Sequence, residues 1–316
     1  MKRPRRKLLA ALLTSALLLL FWELLPFLLA GCLPWERPLL RDSRLDAVHP
    51  LQPAPETSPD DPRLLTLCSL GHCTVLVSQD GHTLVTDPVL VPRLGGAFRR
   101  WNKAPGLDQI PSSLDAVLIT HFHADHCSPW TLARLDRHAT LIGPRGARRR
   151  LGPLFPNTVE LEPWQSASVA CWRITAVPSW HPSGRNPART YDPATTLGYV
   201  IQGPGPTLYV SGDTEAGPHF REIARRFPID LALINVSLHL PGPQARQAAE
   251  DLHAPVWIPL HWGAYPLFDG LPSQKQLARL RNELVPAGRM VWLRPRDSAH
   301  FLAPRAHDSP YNPPVP

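Results

Sequence analysis

The chain has 316 residues, with 33 Lys and Arg against 26 Asp and Glu, so its formal net charge is +7. Five basic residues lie in the first seven positions, and Glu23 is the one acidic residue before position 32, which leaves only +3 for the remainder. A nucleic-acid-binding protein carries its basic excess on the folded part, so no nucleic-acid ligand is expected. With 43% hydrophobic residues and ten Trp, the chain is not disordered throughout, and its length fits one large or two small domains.

Residues 1–31 have the pattern of an export segment. The basic block precedes an uncharged apolar run over 8–22, as the n-region precedes the h-region in a secretory signal. Glu23 interrupts the run, and an acidic side chain is costly in the bilayer core. One continuous membrane span over 8–31 is therefore the weaker interpretation.

This segment ends in Leu29-Ala30-Gly31-Cys32, which resembles the bacterial lipobox, where the Cys is lipidated and becomes the mature N-terminus. The alternative is a retained inner-membrane signal anchor that happens to carry a Cys. Both interpretations tether the chain to a membrane and place the rest outside the cytoplasm, because the positive block stays inside. We expect a lipoprotein anchored through Cys32 in the bacterial cell envelope and facing the periplasm.

Proline-rich segments flank the folded region. Residues 32–63 show no helical or alternating pattern and predict a semi-extended linker, and residues 306–316 predict a similar tail. Residues 64–305 are predicted to fold. Cys68 and Cys73 have a spacing that would allow a disulfide in an oxidising compartment, but we interpret them as buried apolar residues.

Short β-type runs alternate with helical patterns along this region. Asp80-Gly81 between the first two runs predicts a hairpin. Strands that begin in a hairpin and then alternate with helices imply a layered α/β protein. Strands are predicted at 74–78, 83–86, 116–120, 140–143, 158–161, 168–176, 196–201, 207–211, 231–236, 256–260 and 290–293, and helices at 129–136, 146–151, 218–226, 243–252 and 274–284.

Histidines and aspartates follow four of these apolar runs. Because ligands gather beyond the carboxyl ends of strands in α/β sheets, these side chains are expected to converge. Imidazoles and carboxylates without paired cysteines suit zinc or another first-row metal. Strand and helix packing does not call for three His and one Asp within six residues, so a metal site is predicted. The residues are His121, His123, Asp125 and His126, then His181, Asp213 and His261.

The order of the motifs resembles a known family. The segments are LGHCTVLV at 70–77, Thr86-Asp87-Pro88, LDAVLITHFHADH at 114–126, SWHPSGR at 179–185, YVSGDTEAGPHF at 209–220 and IPLHWGAY at 258–265. They resemble the metallo-β-lactamase superfamily, whose hallmark is a His-x-His-x-Asp-His loop, and within it the branch of N-acyl-phosphatidylethanolamine phospholipase D. The resemblance implies that 64–305 form an α/β fold, an αββα sandwich with a binuclear metal site at the loop edge of the sheets.

The resemblance also implies roles for individual residues. His121, His123 and His181 would bind one metal ion, and Asp125, His126 and His261 a second, with Asp213 bridging both. Two divalent ions, zinc or alternatively manganese or iron, would activate a bridging hydroxide as the nucleophile. Asp125 would act as general base. His72 and Asp87 are candidates for orienting the ligand imidazoles, with turn residues as the alternative.

The phospholipase branch carries a His and an acidic pair in the loop before the last ligand, whereas this chain has His239 followed by Leu-Pro-Gly-Pro. His239 is therefore a candidate substrate contact, while the substrate is left open. The expected function is metal-dependent hydrolysis of a phosphodiester, with a small-molecule or phospholipid substrate. Hydrolysis of a lactone or another ester is the alternative, and a non-catalytic envelope lipoprotein is the third interpretation. An apolar surface near the opening could be formed by Trp180, Trp262, Tyr265 and Phe268, with packing in the core as the alternative.

Overall fold

The computed structural model describes residues 61–94, 98–100, 105–181, 194–262, 264–265 and 289–302. Cys32, most of the predicted linker, the tail and the predicted helix at 274–284 lie outside these ranges. Within them, no helix has the length and apolar character needed to cross a bilayer. The membrane anchor therefore remains a prediction.

The described residues contain two seven-stranded sheets, a small two-stranded ribbon and helices. The strands are β1 (Leu65–Gly71), β2 (Thr74–Gln79), β3 (His82–Thr86), β4 (Arg93–Leu94), β5 (Phe98–Arg99), β6 (Ala116–Leu118), β7 (Thr140–Gly143), β8 (Thr158–Glu160), β9 (Ser166–Val169), β10 (Trp172–Pro178), β11 (Leu197–Gln202), β12 (Leu208–Val210), β13 (Leu231–Asn235), β14 (Val256–Leu260), β15 (Arg289–Met290) and β16 (Ser298–Phe301). The helices are α1 (Pro129–Leu132), α2 (Ala147–Leu151), α3 (His219–Arg226) and α4 (Gly242–Asp251), with a 3-10 turn at Leu107–Gln109.

Each sheet is half antiparallel and half parallel. The first has the order β16-β1-β2-β3-β6-β7-β8, and the second has the order β15-β14-β13-β12-β11-β10-β9. The hairpin strands β1, β2 and β3 are antiparallel, whereas β3, β6, β7 and β8 are parallel. In the second sheet, β12 to β15 are parallel. Parallel neighbours need crossover connections, and these carry the helices to the outer faces.

Alternating side chains place the core between the sheets. Val75 and Val77 of β2 belong to the inter-sheet core, while Leu76 belongs to the cluster on the outer face. Leu233 of β13 likewise faces inward and Ile234 packs toward the helices. Because successive side chains of a strand point to opposite faces, strands buried on both sides require a layer on each face. The result is a helix–sheet–sheet–helix sandwich, and the predicted αββα fold is confirmed.

One predicted hairpin is confirmed, and one predicted strand is wrong. The hairpin at Asp80-Gly81 is confirmed, with φ of 52° and 75° at its two central residues. The single strand predicted at 168–176 is wrong, because β9 and β10 form a hairpin around Ala170, which has a φ of 51°. An Ala at positive φ gives no turn signal in a sequence. The strands β1 and β16, which the sequence patterns did not indicate, pair with each other although they come from opposite ends of the folded region.

Candidate metal centre

The predicted site residues meet at one edge of the sandwich. The loop from His121 to His126 follows β6, and single side chains follow β10, β12 and β14, as expected for the carboxyl ends of strands. All seven predicted ligands lie there, together with His72 from the β1–β2 turn and Asp87 after β3. All are buried except His123, which is half-buried.

These side chains form two adjoining groups. In each group, one nitrogen or oxygen atom per residue lies within 4.8 Å of the corresponding atoms of the others, which is a spacing that allows them to hold a metal ion. One group matches the predicted set of His121, His123, His181 and Asp213. The other group is His72, Asp125, His126 and His261. His72 therefore lies among the candidate ligands themselves, with its Nε2 3.2 Å from Asp125 Oδ2.

Asp213 lies between the two groups. Its Oδ1 is 3.3 Å from Nε2 of His126 and 3.3 Å from Nε2 of His261, while its Oδ2 is 3.8 Å from Nε2 of His181. The two oxygens of this one carboxylate thus face different sets of imidazoles. This is the arrangement that a bridging carboxylate requires.

Asp87 orients His126. Its Oδ2 lies 2.8 Å from Nδ1 of His126, and because a carboxylate only accepts, Nδ1 carries the proton and donates it. Nε2 of His126 is then left with its lone pair toward the cluster, as a metal ligand needs. The contact agrees with the orienting role expected for Asp87.

Thr120 has a role that the sequence analysis missed, because this residue was assigned to the end of a strand. Its backbone N–H donates to Asp87 Oδ1 over 2.8 Å, and its hydroxyl donates to Asp87 Oδ2 over 2.7 Å. Because its one hydroxyl proton goes to Asp87, the same oxygen accepts from Nδ1 of His121, 3.1 Å away. Thr120 thereby fixes the tautomer that leaves Nε2 of His121 for a metal ion.

The backbone is strained around these groups. His72, Asp87 and His261 have φ values of 58°, 38° and 66°, in the left-handed region that non-glycine residues rarely adopt. Gly212, with a φ of 56°, precedes Asp213, and a Cβ on it would lie 2.7 Å from Cβ of Thr120. Only glycine allows this close approach of the two sheets.

Charge in the cluster is set by the two carboxylates. Burial disfavours charge on Asp125 and Asp213, but the surrounding imidazoles outweigh it and hold both pKa values well below their usual range. Burial likewise opposes charge on His126, yet Asp213 and Asp125 raise its pKa well above the ordinary value. Burial lowers the pKa of His121, and lowers that of His181 to about 4. The cluster therefore combines anionic carboxylates, which attract cations, with the neutral imidazoles of His121 and His181, which can ligate them, while His126 would release a proton when a cation binds.

Some polar atoms here lack the partners that buried atoms normally have. Among the described residues, His126 Nε2 and Asp213 Oδ1 are buried and form no hydrogen bond, although they face each other. Leaving such atoms unsatisfied is costly, and a metal ion would satisfy both. The donor set and these atoms fit a divalent cation.

The opening of the cluster differs from the apolar surface that the sequence allowed. Tyr265 is fully buried, where its hydroxyl donates to Val91 O over 3.0 Å, and Trp262 donates its ring N–H to Pro259 O. Phe268 lies outside the described residues. Trp180 is 36% exposed and Leu238 is 72% exposed. The half-exposed ring of His239 lies 4.6 Å from that of His181 by ring centroids, with Nδ1 3.8 Å from Glu215 Oε1.

His219, to which the sequence gave no role, is buried behind the cluster. Its Nε2 lies 3.1 Å from the Thr214 hydroxyl, and its ring stacks on Trp180 with centroids 5.2 Å apart. Burial lowers its pKa from 6.5 to about 4, so the folded state favours the neutral ring. This preference adds to the stability of the fold above pH 6.5. The contribution is lost progressively as the pH falls from 6.5 to about 4.

We therefore expect His219→Gln to reduce the acid sensitivity of folding. Between neutral pH and pH 4, the free energy of unfolding measured in urea should fall by about 3 kcal/mol more in the wild type than in the variant. Metal ligands also protonate in this range, but they do so in both proteins, so the difference isolates His219. The exposed His138 supplies the control, since His138→Gln should follow the wild type. Equal pH dependence of wild type and His219→Gln would contradict the prediction.

Comparison with known proteins shows which family this chain resembles. A family model described as a beta-lactamase superfamily domain matches residues 82–262. An uncharacterized protein of Mycobacterium tuberculosis is 31% identical over 274 residues, covering 77% of this chain and 72% of the relative. A metal-dependent hydrolase of Deinococcus radiodurans is 32% identical over 229 residues, covering 66% and 89%. The solved structure of a metallo hydrolase from Ignicoccus hospitalis shares the fold, with a TM-score of 0.60 at 20% identity, covering 75% of this chain and 98% of that one.

Proposed function

The chain belongs to the beta-lactamase superfamily and is a metal-dependent hydrolase of the metallo-β-lactamase fold, and from this premise we propose that it cleaves phosphodiesters with two divalent metal ions. His121, His123 and His181 would hold one ion, and Asp125, His126 and His261 the other, with Asp213 shared. The observation that carries the proposal is the position of Asp213, whose two oxygens face the two groups of imidazoles.

Two ions held in this way would lower the pKa of a bound water molecule and neutralise charge that develops on the substrate. The chain's own groups then have distinct tasks. Asp125 Oδ2 is surrounded by Nε2 of His72, His261 and His126 at 3.2, 3.5 and 3.8 Å, which keeps its carboxylate charged and fixed. We assign to this carboxylate the acceptance of the proton from the attacking water.

The ligand imidazoles are held by a second layer of hydrogen bonds. Asp87 fixes His126 and Thr120 fixes His121 before any substrate arrives. Such preorganisation means that no side chain has to reorient during the reaction. The half-exposed His239 beside His181 is the group we assign to contact the substrate at the opening.

Three features support a phosphodiester as the substrate. A pair of metal ions can stabilise both the attacking and the leaving oxygen of an in-line displacement at phosphorus. The motifs resemble the N-acyl-phosphatidylethanolamine phospholipase D branch. Trp180 and Leu238 expose apolar surface, and Trp180 directly precedes His181, which suits a substrate that carries an acyl chain. A lactone or another carbonyl ester is the second candidate, because the same activated water can attack carbon.

A substrate panel separates the two classes. We expect the purified metal-loaded protein to hydrolyse an aryl phosphodiester, and to hydrolyse a phosphodiester presented in lipid vesicles faster. A chelator should abolish both activities, and added metal should restore them, which excludes a contaminating metal-free enzyme. Rapid opening of lactones by a preparation that leaves every phosphodiester intact would instead favour the second candidate.

The metal is proposed to be zinc, because imidazole and carboxylate ligands in a buried site suit it, although manganese and iron accept the same ligands. Elemental analysis of protein purified without added metal measures both the identity and the number of the bound ions.

The envelope location is a separate proposal, with Cys32 as the lipidated residue.

The anchor is tested separately. In cells labelled with a fatty acid, the wild type should take up the label at Cys32 and lose residues 1–31, because the lipobox-like Leu-Ala-Gly-Cys follows a basic block and an apolar run. Cys32→Ser should lose the label and retain the N-terminal segment. A wild-type protein that mass spectrometry finds unlabelled, with Met1 attached, would identify a signal anchor instead.

A further inference from the structure

Cys73 lies directly beneath the His/Asp cluster. It follows His72 in the β1–β2 turn, it is 3% exposed, and it belongs to the core between the two sheets. None of the four described cysteines forms a disulfide. The predicted burial of Cys73 is therefore correct, but its surroundings are not only apolar.

The sulfur of Cys73 faces two polar atoms of the cluster. Its Sγ, a ring nitrogen of His126 and an oxygen of Asp213 all lie within 4.8 Å of one another. These three residues come from three separate parts of the chain, namely the β1–β2 turn, the loop after β6 and the loop after β12. The fold therefore brings a thiol to the same point as an imidazole and a carboxylate.

The two partner atoms independently indicate a ligand at this point. His126 Nε2 and Asp213 Oδ1 are 3.3 Å apart, yet neither forms a hydrogen bond with any described residue. Both side chains are at least nine-tenths buried. Asp87 holds the protonated Nδ1 of His126, which turns the lone pair of Nε2 toward Asp213 and the sulfur. A metal ion bound here would displace any proton on Nε2 and would satisfy both buried atoms.

We propose that Cys73 is a metal ligand, and that its thiolate completes the coordination of the ion shared by His126 and Asp213. The inference rests on the proposed metal centre and adds a residue to it. When the ion binds, the sulfur–metal bond forms and the thiol proton leaves to solvent. The negative thiolate then lies where the cation can neutralise it.

A thiolate changes which metal the centre prefers. Sulfur is a soft ligand that favours zinc and cobalt, whereas manganese prefers carboxylate and water. Cys73 thus gives a physical reason for zinc over manganese at this centre, a preference that the imidazoles and carboxylates alone do not supply. A serine or alanine at this position would remove that preference.

The neighbouring Cys127 provides a matched control. It is also buried, at 7% exposure, and it directly follows His126 in the chain. Its side chain packs in the cluster on the outer face of the first sheet, with Ile119 and Leu132, and not in the inter-sheet core. The two cysteines therefore have similar burial and similar sequence distance from a candidate ligand, but face opposite sides of the sheet.

The test is cobalt substitution followed by absorption spectroscopy on the full-length protein. Cobalt bound to a thiolate gives a sulfur-to-cobalt charge-transfer band in the near ultraviolet, and cobalt bound by any ligand gives weaker bands in the visible. We expect the wild type and Cys127→Ala to show both kinds of band. Cys73→Ala and Cys73→Ser should lose the charge-transfer band and keep the visible bands, and both should retain less zinc against a chelator while retaining manganese as the wild type does.

The outcomes separate this inference from the proposed function. Visible bands with no charge-transfer band in the wild type would leave the metal centre intact and show that Cys73 is only a core residue. A charge-transfer band that persists in both Cys73 variants and disappears in Cys127→Ala would also overturn the assignment. Failure of the wild type to bind cobalt or zinc at all would overturn the metal centre and this inference together. Two substitutions of different polarity guard against the loss of one variant through misfolding.

Discussion

Asp213→Asn should lose at least one metal ion per chain and lower the rate of hydrolysis about a thousandfold, equivalent to about 4 kcal/mol of transition-state stabilisation. The reason is that an amide keeps one good oxygen ligand but loses the second oxygen and the charge. Asp213 is the carboxylate whose oxygens face both groups of imidazoles, so the variant loses the proposed bridge between them. Elemental analysis and turnover of the best substrate measure the two effects.

Asp230→Asn is the matched control for this experiment. Asp230 is a partly buried carboxylate just before β13, at the opposite end of the strands from the cluster, where it accepts from Thr207 N–H over 2.7 Å. It should retain the metal content and the activity of the wild type. Unchanged metal content and activity in Asp213→Asn itself would refute the assignment of the ligands.

Asp87→Ala should destabilise the fold by about 3 to 5 kcal/mol, because it leaves a buried network without its acceptor. Three donors lose their partner, namely the Thr120 N–H, the Thr120 hydroxyl and Nδ1 of His126. The variant should also bind metal about 10- to 100-fold more weakly, since residues that orient ligands have effects of this size. Urea unfolding of the metal-free proteins measures the first effect, and competition with a chelator measures the second.

Asp115→Ala is the control, because it shows what the removal of an aspartate with similar hydrogen bonds does elsewhere in the fold. Asp115 makes a similar set of contacts, from Thr83 N–H at 2.8 Å and from His82 Nδ1 at 3.0 Å, but its side chain is 32% exposed. Exposed interactions of this kind contribute about 1 kcal/mol or less. Equal losses of stability and of metal affinity in the two variants would show that Asp87 has no special part in the cluster.

The sequence predicted that these side chains converge because their signal is local. Each follows an apolar run, and the ends of parallel strands share an edge, so convergence did not require knowledge of the strand order. The spacing of His121, His123 and Asp125 within one loop could be recognised without any tertiary information. Alternating strands and helices predicted a layered α/β protein, whereas the sandwich of two sheets was implied by the family resemblance.

The parts that the sequence did not predict depend on long-range packing. Thr120 and Cys73 have ordinary strand and core character. The pairing of β3 with β6 brings Thr120 to Asp87, and the approach of the two sheets brings Cys73 near Asp213. Tyr265 was a candidate for the apolar surface at the opening, but its ring packs against His72 at 5.4 Å and against Arg100, which no local pattern indicates. The β9–β10 turn at Ala170 was missed because its conformation is imposed by strand pairing and not by a turn-forming residue.

The long separation of the ligands along the chain has a consequence for biogenesis. His72 and His261 are 189 positions apart, yet they lie side by side with ring centroids 4.1 Å apart. β1 completes its pairing only with β16, whose register joins Leu65 to Phe301. A ribosome-bound chain therefore has no complete cation-binding pocket until nearly all of the domain has emerged. The pocket can therefore take up a metal ion only after the chain has been made almost to the end of the domain.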